Sequence, residues 1–277
     1  MQQKLKTKPG WSLNQRDPRL IKSLMPVWEW LYHHYFRVQT SGWEHISPEE
    51  KVLFVGSHNG GLAAPDMVMM MYDWFRRFGV ERPIYGLTHP HIWQVPPLAL
   101  LAAKVGSIIA HPKMAYAALR SGASVLVYPG GAKDVFRSHD LRNQICLYDN
   151  QAFIKLALRE KVPIVPLISY GAHDTLIVLA DCYKIVQQFH EWGMPWLFGL
   201  DPQVFPIYLG LPWGLAVGPL PNFPLPVTIH TRVCPKIVFE HYGIEAASDR
   251  SYVNACYEIV LNQMQQELDR LVNSSQT

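Results

Sequence analysis

The sequence predicts an α/β domain, with a mainly parallel central sheet flanked by helices and an amphipathic helix ahead of it. Three observations predict it. From residue 52 onward short apolar runs alternate with helical stretches. The runs around Val125 and Ile164 carry no charge, as strands covered on both faces should. A chain of 277 residues is also long enough to bury about three quarters of its unfolded surface around one large core.

The first 22 residues set Lys4, Lys6, Lys8, Arg16, Arg19 and Lys22 against Asp17 alone, a basic arm suited to an anionic surface. From Leu20 to Val38 the residues Leu20, Leu24, Val27, Trp28, Leu31, Tyr35 and Val38 recur at helical spacing, with Lys22, Glu29, His33 and Arg37 opposite. Such a helix either lies in a membrane interface or packs on its own domain, and the pattern serves both. Residues 1–50 are therefore read as a basic arm and amphipathic helix, and residues 51–277 as one globular unit. Strands are expected at 52–56, 84–87, 107–110, 125–128 and 164–170, with helices near 66–78, 114–121 and 151–161. A last helix starts at Ser248 or Asp249, either of which can cap it, and aligns Val253, Tyr257, Val260, Met264, Leu268 and Leu271; residues 273–277 read as a frayed tail.

Charged residues are 17% of the chain, against roughly 25% in an average soluble protein, whereas Pro (22), Trp (9) and Tyr (13) are plentiful. That composition suits a protein partly wetted by something other than water. Each long apolar run is broken before the ~20 residues that a spanning helix needs. The longest uncharged segment, 202–231, holds seven prolines, so a polytopic membrane protein is excluded and a membrane-surface protein is not. Cys146, Cys182, Cys234 and Cys256 are scattered, suggesting neither a zinc site nor a disulfide framework. The basic start is followed by polar residues, unlike a signal peptide, so a reducing, cytosol-facing location is expected. The basic residues cluster in one short arm, which argues against nucleic acid as partner.

Two segments carry candidate chemistry. In Gly56-Ser57-His58-Asn59-Gly60-Gly61-Leu62-Ala63-Ala64-Pro65-Asp66 a strand ends and a helix opens, and His58 falls beyond the strand's carboxyl end, where open α/β sheets bind ligands. Imidazole ordinarily titrates near 6.5, so its neutral form can take a proton from an attacking hydroxyl. A carboxylate on the other ring nitrogen would fix the tautomer, and Asp66 is the nearest. The same residues also read as a bonded loop histidine and as an acidic helix start behind Pro65. In Val125-Leu126-Val127-Tyr128-Pro129-Gly130-Gly131-Ala132-Lys133 a second strand ends in paired glycines, which form either an anion-binding nest aided by Lys133 and Arg137 or a plain Pro-Gly turn. His89-Pro90-His91 and His173-Asp174 lack the further ligands of a metal site, and none is expected.

Taken together, His58 with Asp66, Gly106-Ser107-Ile108-Ile109, Tyr128-Pro129-Gly130-Gly131 and Val162-Pro163-Ile164-Val165-Pro166 resemble the four ordered blocks of the glycerolipid and lysophospholipid acyltransferases, over roughly residues 20–240. The resemblance implies that His58 is the general base on a lipid hydroxyl and that Asp66 orients it. The hydroxyl attacks an acyl-CoA or acyl-carrier-protein thioester, which is a substrate, and no cofactor is implied. Seven residues separate His58 from Asp66 where the common pattern has four, and Gly60 and Gly61 are expected to let the loop bulge and bring the carboxylate back. Where the common second block has a phosphate-binding arginine, Pro112 and Lys113 stand; where the third has Pro-Glu-Gly, the chain has Pro129-Gly130-Gly131. The Pro-Gly-Gly block is similar to the diacylglycerol acyltransferase-like and phytyl-ester-synthase-like branches, implying a neutral lipid acceptor on the cytoplasmic face of a membrane. Tyr128 to Gly131 would line the site, Lys133 or Arg137 would hold the donor's phosphates, and Trp196, Leu197, Phe198, Phe205, Ile207, Tyr208, Leu209, Trp213 and Phe223 would form a groove. The rivals are a lysophosphatidic acid acyltransferase using Lys113 or Lys133, and a non-catalytic lipid-binding protein.

Overall fold

The computed structural model describes residues 8–47, 49–196, 199 and 201–275. In chain order its elements are α1 (Pro18–Trp30), a π-helical turn (Leu31–Tyr35), β1 (Gln39–Ser41), β2 (Leu53–Gly56), α2 (Pro65–Phe78), β3 (Ile84–Thr88), α3 (Pro96–Lys104), β4 (Ser107–Ile109), α4 (Pro112–Arg120), β5 (Ser124–Val127), the short α5 (Gly131–Val135), α6 (Ala152–Glu160), β6 (Ile164–Tyr170), β7 (Ile177–Asp181), α7 (Tyr183–Glu191), β8 (Pro206–Gly210), β9 (Gly214–Val217), β10 (His230–Val233), α8 (Ile244–Ser248) and α9 (Arg250–Ser275).

Seven strands form one sheet in the order β1-β10-β6-β2-β5-β3-β4. Its five strands from β6 to β4 are parallel, while β10 lies antiparallel to β6 and carries β1 parallel on its far side. Alternation sorts the side chains. Leu53, Val55, Val125 and Ile164 face α4, α6 and α9, whereas Phe54, Leu126 and Val165 face α1 and α2. All seven are fully buried, so a charge on either face would be stranded away from water. Asp249 caps α9, accepting the amides of Ser251 and Tyr252 at 2.9 and 3.1 Å. The helix continues through Ser275 instead of fraying from residue 273.

α1 differs from its sequence reading by a rotation. The inward stripe is Ile21, Met25, Trp28, Tyr32 and Phe36, packed on Trp74, Phe75, Met69 and Tyr72 of α2, and Ile21, Tyr32 and Phe36 are buried. Of the expected stripe, Trp28 faces the core, Leu20, Leu24, Leu31, Tyr35 and Val38 lie half-buried on the flank, and Val27 is exposed. Both flanks are apolar, so helical spacing alone could not say which one meets α2.

The basic arm is also engaged. Lys4 and Lys6 lie outside the described residues, and Lys8 is exposed. Arg16 donates to the Val80 carbonyl and stands over Phe75, while Asp17 caps α1 through the amides of Arg19 and Leu20. Ile109 of β4 donates to the Gly10 carbonyl at 3.1 Å, so the segment ahead of α1 lies along the outer edge of the sheet.

A second sheet, β7-β8-β9, is antiparallel and packs Tyr208 and Ala216 onto Val135, Phe136, Leu176 and Val178. Among the described residues no helix is long and apolar enough to cross a membrane.

Candidate active site

β2 ends at Gly56, and the chain turns through residues 57–64 into α2. Gly60 and Gly61 take positive φ values of 84° and 67°, and Ala64 one of 43°; together with a 3-10 turn over Gly61–Ala63 they fold the long loop back on itself. Pro65 then starts α2, and Asp66 follows in its first turn. The bulge expected from the two glycines is what brings the carboxylate home. Oδ2 of Asp66 lies 3.2 Å from Nδ1 of His58 and accepts the Asn59 amide at 2.9 Å, while Oδ1 accepts the Met67 amide at 2.8 Å. The Asp66 side chain is fully buried, and that of His58 keeps 16% exposure.

An ionised carboxylate only accepts. In neutral His58 the shared proton therefore sits on Nδ1, and Nε2 keeps its lone pair for an incoming hydroxyl. The opposite face of the imidazole stacks on Tyr128, with ring centroids 4.3 Å apart. Burial, with Asp66 and Asp134 nearby, pushes the Tyr128 phenol well above its ordinary pKa and keeps it neutral.

Sequence reading missed the group that holds His58 from below. Asp134, in the helix after the paired glycines, accepts the His58 amide at 2.5 Å and the Ser57 hydroxyl at 3.3 Å. Arg137, one turn on, donates to Oδ1 of Asp134 at 2.8 Å, to the His58 carbonyl at 2.7 Å and to Oδ1 of Asn59 at 2.7 Å. Both sides of the His58 backbone are thus gripped by one buried ion pair. Burial raises the Asp134 carboxyl to about 6, against the opposing pull of Arg137 and its hydrogen bonds. The signal present in the sequence was an acid and an arginine at i, i+3, the acid on the short helix and the arginine just past its end.

In the glycine turn, Pro129 and Gly130 are buried, and Tyr128 and Gly131 are half-buried. Asn150 donates to the Pro129 carbonyl at 2.8 Å. A Cβ on Gly130 would fall 2.4 Å from that of Asp134, so the close approach requires glycine, whereas Gly131, at φ 54°, faces open space. The Gly131 amide closes the turn onto the Tyr128 carbonyl at 3.2 Å.

A family model described as Diacylglycerol acyltransferase matches residues 19–221. The chain belongs to the diacylglycerol acyltransferase family. It is an acyltransferase, and an acyl donor and a lipid acceptor are its substrates in general. Uncharacterized proteins of Mycobacterium tuberculosis and Mycobacterium bovis are each 26% identical to it over 257 residues, 92% of this chain and 68% of theirs. One from Mycobacterium leprae is 24% identical over 92% of this chain and 66% of its own. The 1-acyl-sn-glycerophosphate acyltransferase PlsC of Thermotoga maritima shares the fold at a TM-score of 0.53 and 13% identity, over 92% of this chain and 79% of that one.

In this acyltransferase the expected cations divide. Arg137 is a correction: its guanidinium is buried and spent on Asp134, His58 and Asn59, so it does not face a donor's phosphates. Lys133 is exposed beside the glycine turn. Lys113 is exposed at the start of α4, after β4, three strands from β2 and therefore roughly 14 Å across the sheet. The expected groove is rearranged as well. Leu197 and Phe198 lie outside the described residues, Tyr208 is buried, and Trp196 stacks on His190. Of the described members of that set only Phe223 reaches an apolar cavity of about 420 Å³, where it joins Trp30, Tyr35, Met69 and, from the His58 to Asp66 loop itself, Ala63 and Pro65.

Proposed function

We propose that this acyltransferase moves a fatty acyl group from an acyl-CoA or acyl-carrier-protein thioester to the hydroxyl of a neutral lipid, a diacylglycerol or a long-chain alcohol, at the cytoplasmic face of a membrane. The observation that carries the reading is the Nδ1 contact of His58 with Asp66, which leaves Nε2 bare, on a loop whose Ala63 and Pro65 line an uncharged cavity. The hydroxyl oxygen attacks the thioester carbonyl carbon as Nε2 takes its proton, and Asp66 stabilises the imidazolium so formed. The tetrahedral adduct collapses, the C–S bond breaks, and the thiolate leaves with the proton from Nε2. An ester and a free thiol result, with no acyl-enzyme. Lys133, exposed next to Gly131, holds the donor's phosphates.

A neutral acceptor is supported by the cavity lining, which holds no charged side chain, by the engaged guanidinium of Arg137, and by Pro112 at the position of the common arginine. The test is thiol release from acyl-CoA and acyl-carrier protein, with vesicles holding diacylglycerol, phytol or lysophosphatidic acid, for wild type and His58→Ala. Release with a neutral acceptor that disappears in the variant is expected. A preference for lysophosphatidic acid would overturn the acceptor, and no release from either donor would leave a lipid-binding protein.

A further inference from the structure

The small sheet breaks the usual rule for antiparallel strands, which bury one face and present polar residues on the other. Tyr208 and Ala216 point inward, yet the alternate positions Leu209, Leu215 and Val217 are also apolar and 42–64% exposed. At the hairpin tip Leu211 and Trp213 are about half exposed. No Asp, Glu, Lys or Arg occurs from residue 202 to 231, so nothing on this hairpin favours water.

The apolar face runs into the cavity. Phe223 donates its amide to the Leu211 carbonyl at 2.8 Å, and Trp213 donates its indole N–H to the Pro221 carbonyl at 2.7 Å, which ties the tip to the following segment. Phe223, itself 66% exposed, then lines the cavity together with Trp30 and with Ala63 and Pro65 of the His58 to Asp66 loop.

We infer that the β8-β9 hairpin is the surface on which the protein rests on a lipid bilayer, so that the cavity beside His58 opens at the level of the acyl chains. The bilayer is the occupant because the face carries no charge, ends in a tryptophan of the kind that seats at a membrane interface, and continues into a space suited to a lipid chain. This rests on the lipid acceptor proposed above and names the device that reaches it.

The test uses full-length protein and the outward Leu215 and Val217, which line neither the cavity nor the His58 loop. Vesicle flotation in phosphatidylcholine with diacylglycerol, at high salt to remove charge attraction, is expected to recover wild type and to lose at least 10-fold in Leu215→Glu/Val217→Glu. A Leu215→Gln/Val217→Gln pair, folded by circular dichroism, should fall between them. Turnover of dioctanoylglycerol in detergent should stay within 2-fold of wild type in these variants while turnover on vesicles drops with flotation. Flotation unchanged by the glutamates would overturn the inference, as would a wild-type dimer in light scattering that the glutamates split without changing flotation. Absence of turnover in every protein would refute the proposed reaction instead, and flotation would still decide the surface.

Discussion

The ring of Tyr128 lies 23° from parallel to that of His58, and the room for the stack comes from Gly56, where a Cβ would fall 2.4 Å from Cε1 of Tyr128. Gly56→Ala is therefore expected to push the phenol off the imidazole. Overpacking of this kind costs about 1–3 kcal/mol, to be read in urea unfolding, and turnover should fall with it. Tyr128→Phe keeps the stack and loses only a phenol that never ionises, so its kcat should stay near wild type. A kcat for Tyr128→Phe as low as that of Gly56→Ala would assign the hydroxyl a chemical task.

Arg137 and Asp134 form a pair whose halves should behave differently. Arg137→Met strands a buried carboxylate, a change that costs about 3–5 kcal/mol, and releases the His58 carbonyl. Asp134→Asn removes the charge with little change of shape. Because the folded carboxyl sits at about 6, above its ordinary 3.8, the folded state binds more protons than the unfolded one between those values. This group thus lowers stability as pH rises from 3.8 to 6 and changes nothing above. Chemical unfolding across pH 4–7 should show this decline in wild type and not in Asp134→Asn.

His173 works in the opposite direction. Burial, with help from Arg137 and His139, lowers it from 6.5 to about 3. The unfolded chain binds the extra proton in that interval, so the stability contributed is complete above 6.5 and is lost as pH falls toward 3. His173→Gln should flatten the acid side of the stability curve, and an acid slope identical to wild type would assign the loss to other groups.

The bulged loop predicts a third class of change. A Cβ at Gly60 would meet Thr175 Oγ1 at 2.5 Å and Pro65 Cδ at 2.6 Å, at a φ of 84°. Gly60→Ala should displace Pro65 and with it Asp66, lowering kcat by more than KM rises. Gly131→Ala meets no neighbouring atom but places a Cβ at a φ of 54°, so it should keep the fold with a thermal midpoint about 2–4 °C below that of wild type.

The parallel strands were legible because burial on both faces demands charge-free runs, and β2, β5 and β6 have them. His58 and Asp66 were legible because the loop between a strand and a helix keeps its ends together in the sequence. The inward turn of Arg137 was not, since an arginine just past the end of a short helix looks solvent-facing until its neighbour Asp134 proves buried. The edge strand Gln39–Ser41 and its neighbour His230–Val233 are short and largely polar, and only the pairing of the first with the second, and of the second with β6, makes them strands. α1 offers two apolar flanks, and only the aromatic surface of α2 selects one.

The segment ahead of α1 has a seat that is assembled late. Gly10 pairs with Ile109, Arg16 with Val80 and Asp17 with Lys104, so the stretch ahead of α1 contacts residues made long after it. Until β4 is in place these partners do not exist, and closing so large a loop is slow. The nascent chain thus carries its edge guard unattached until β4 is made, and β4 itself stays an open edge, exposed to other chains, until the guard has closed on it.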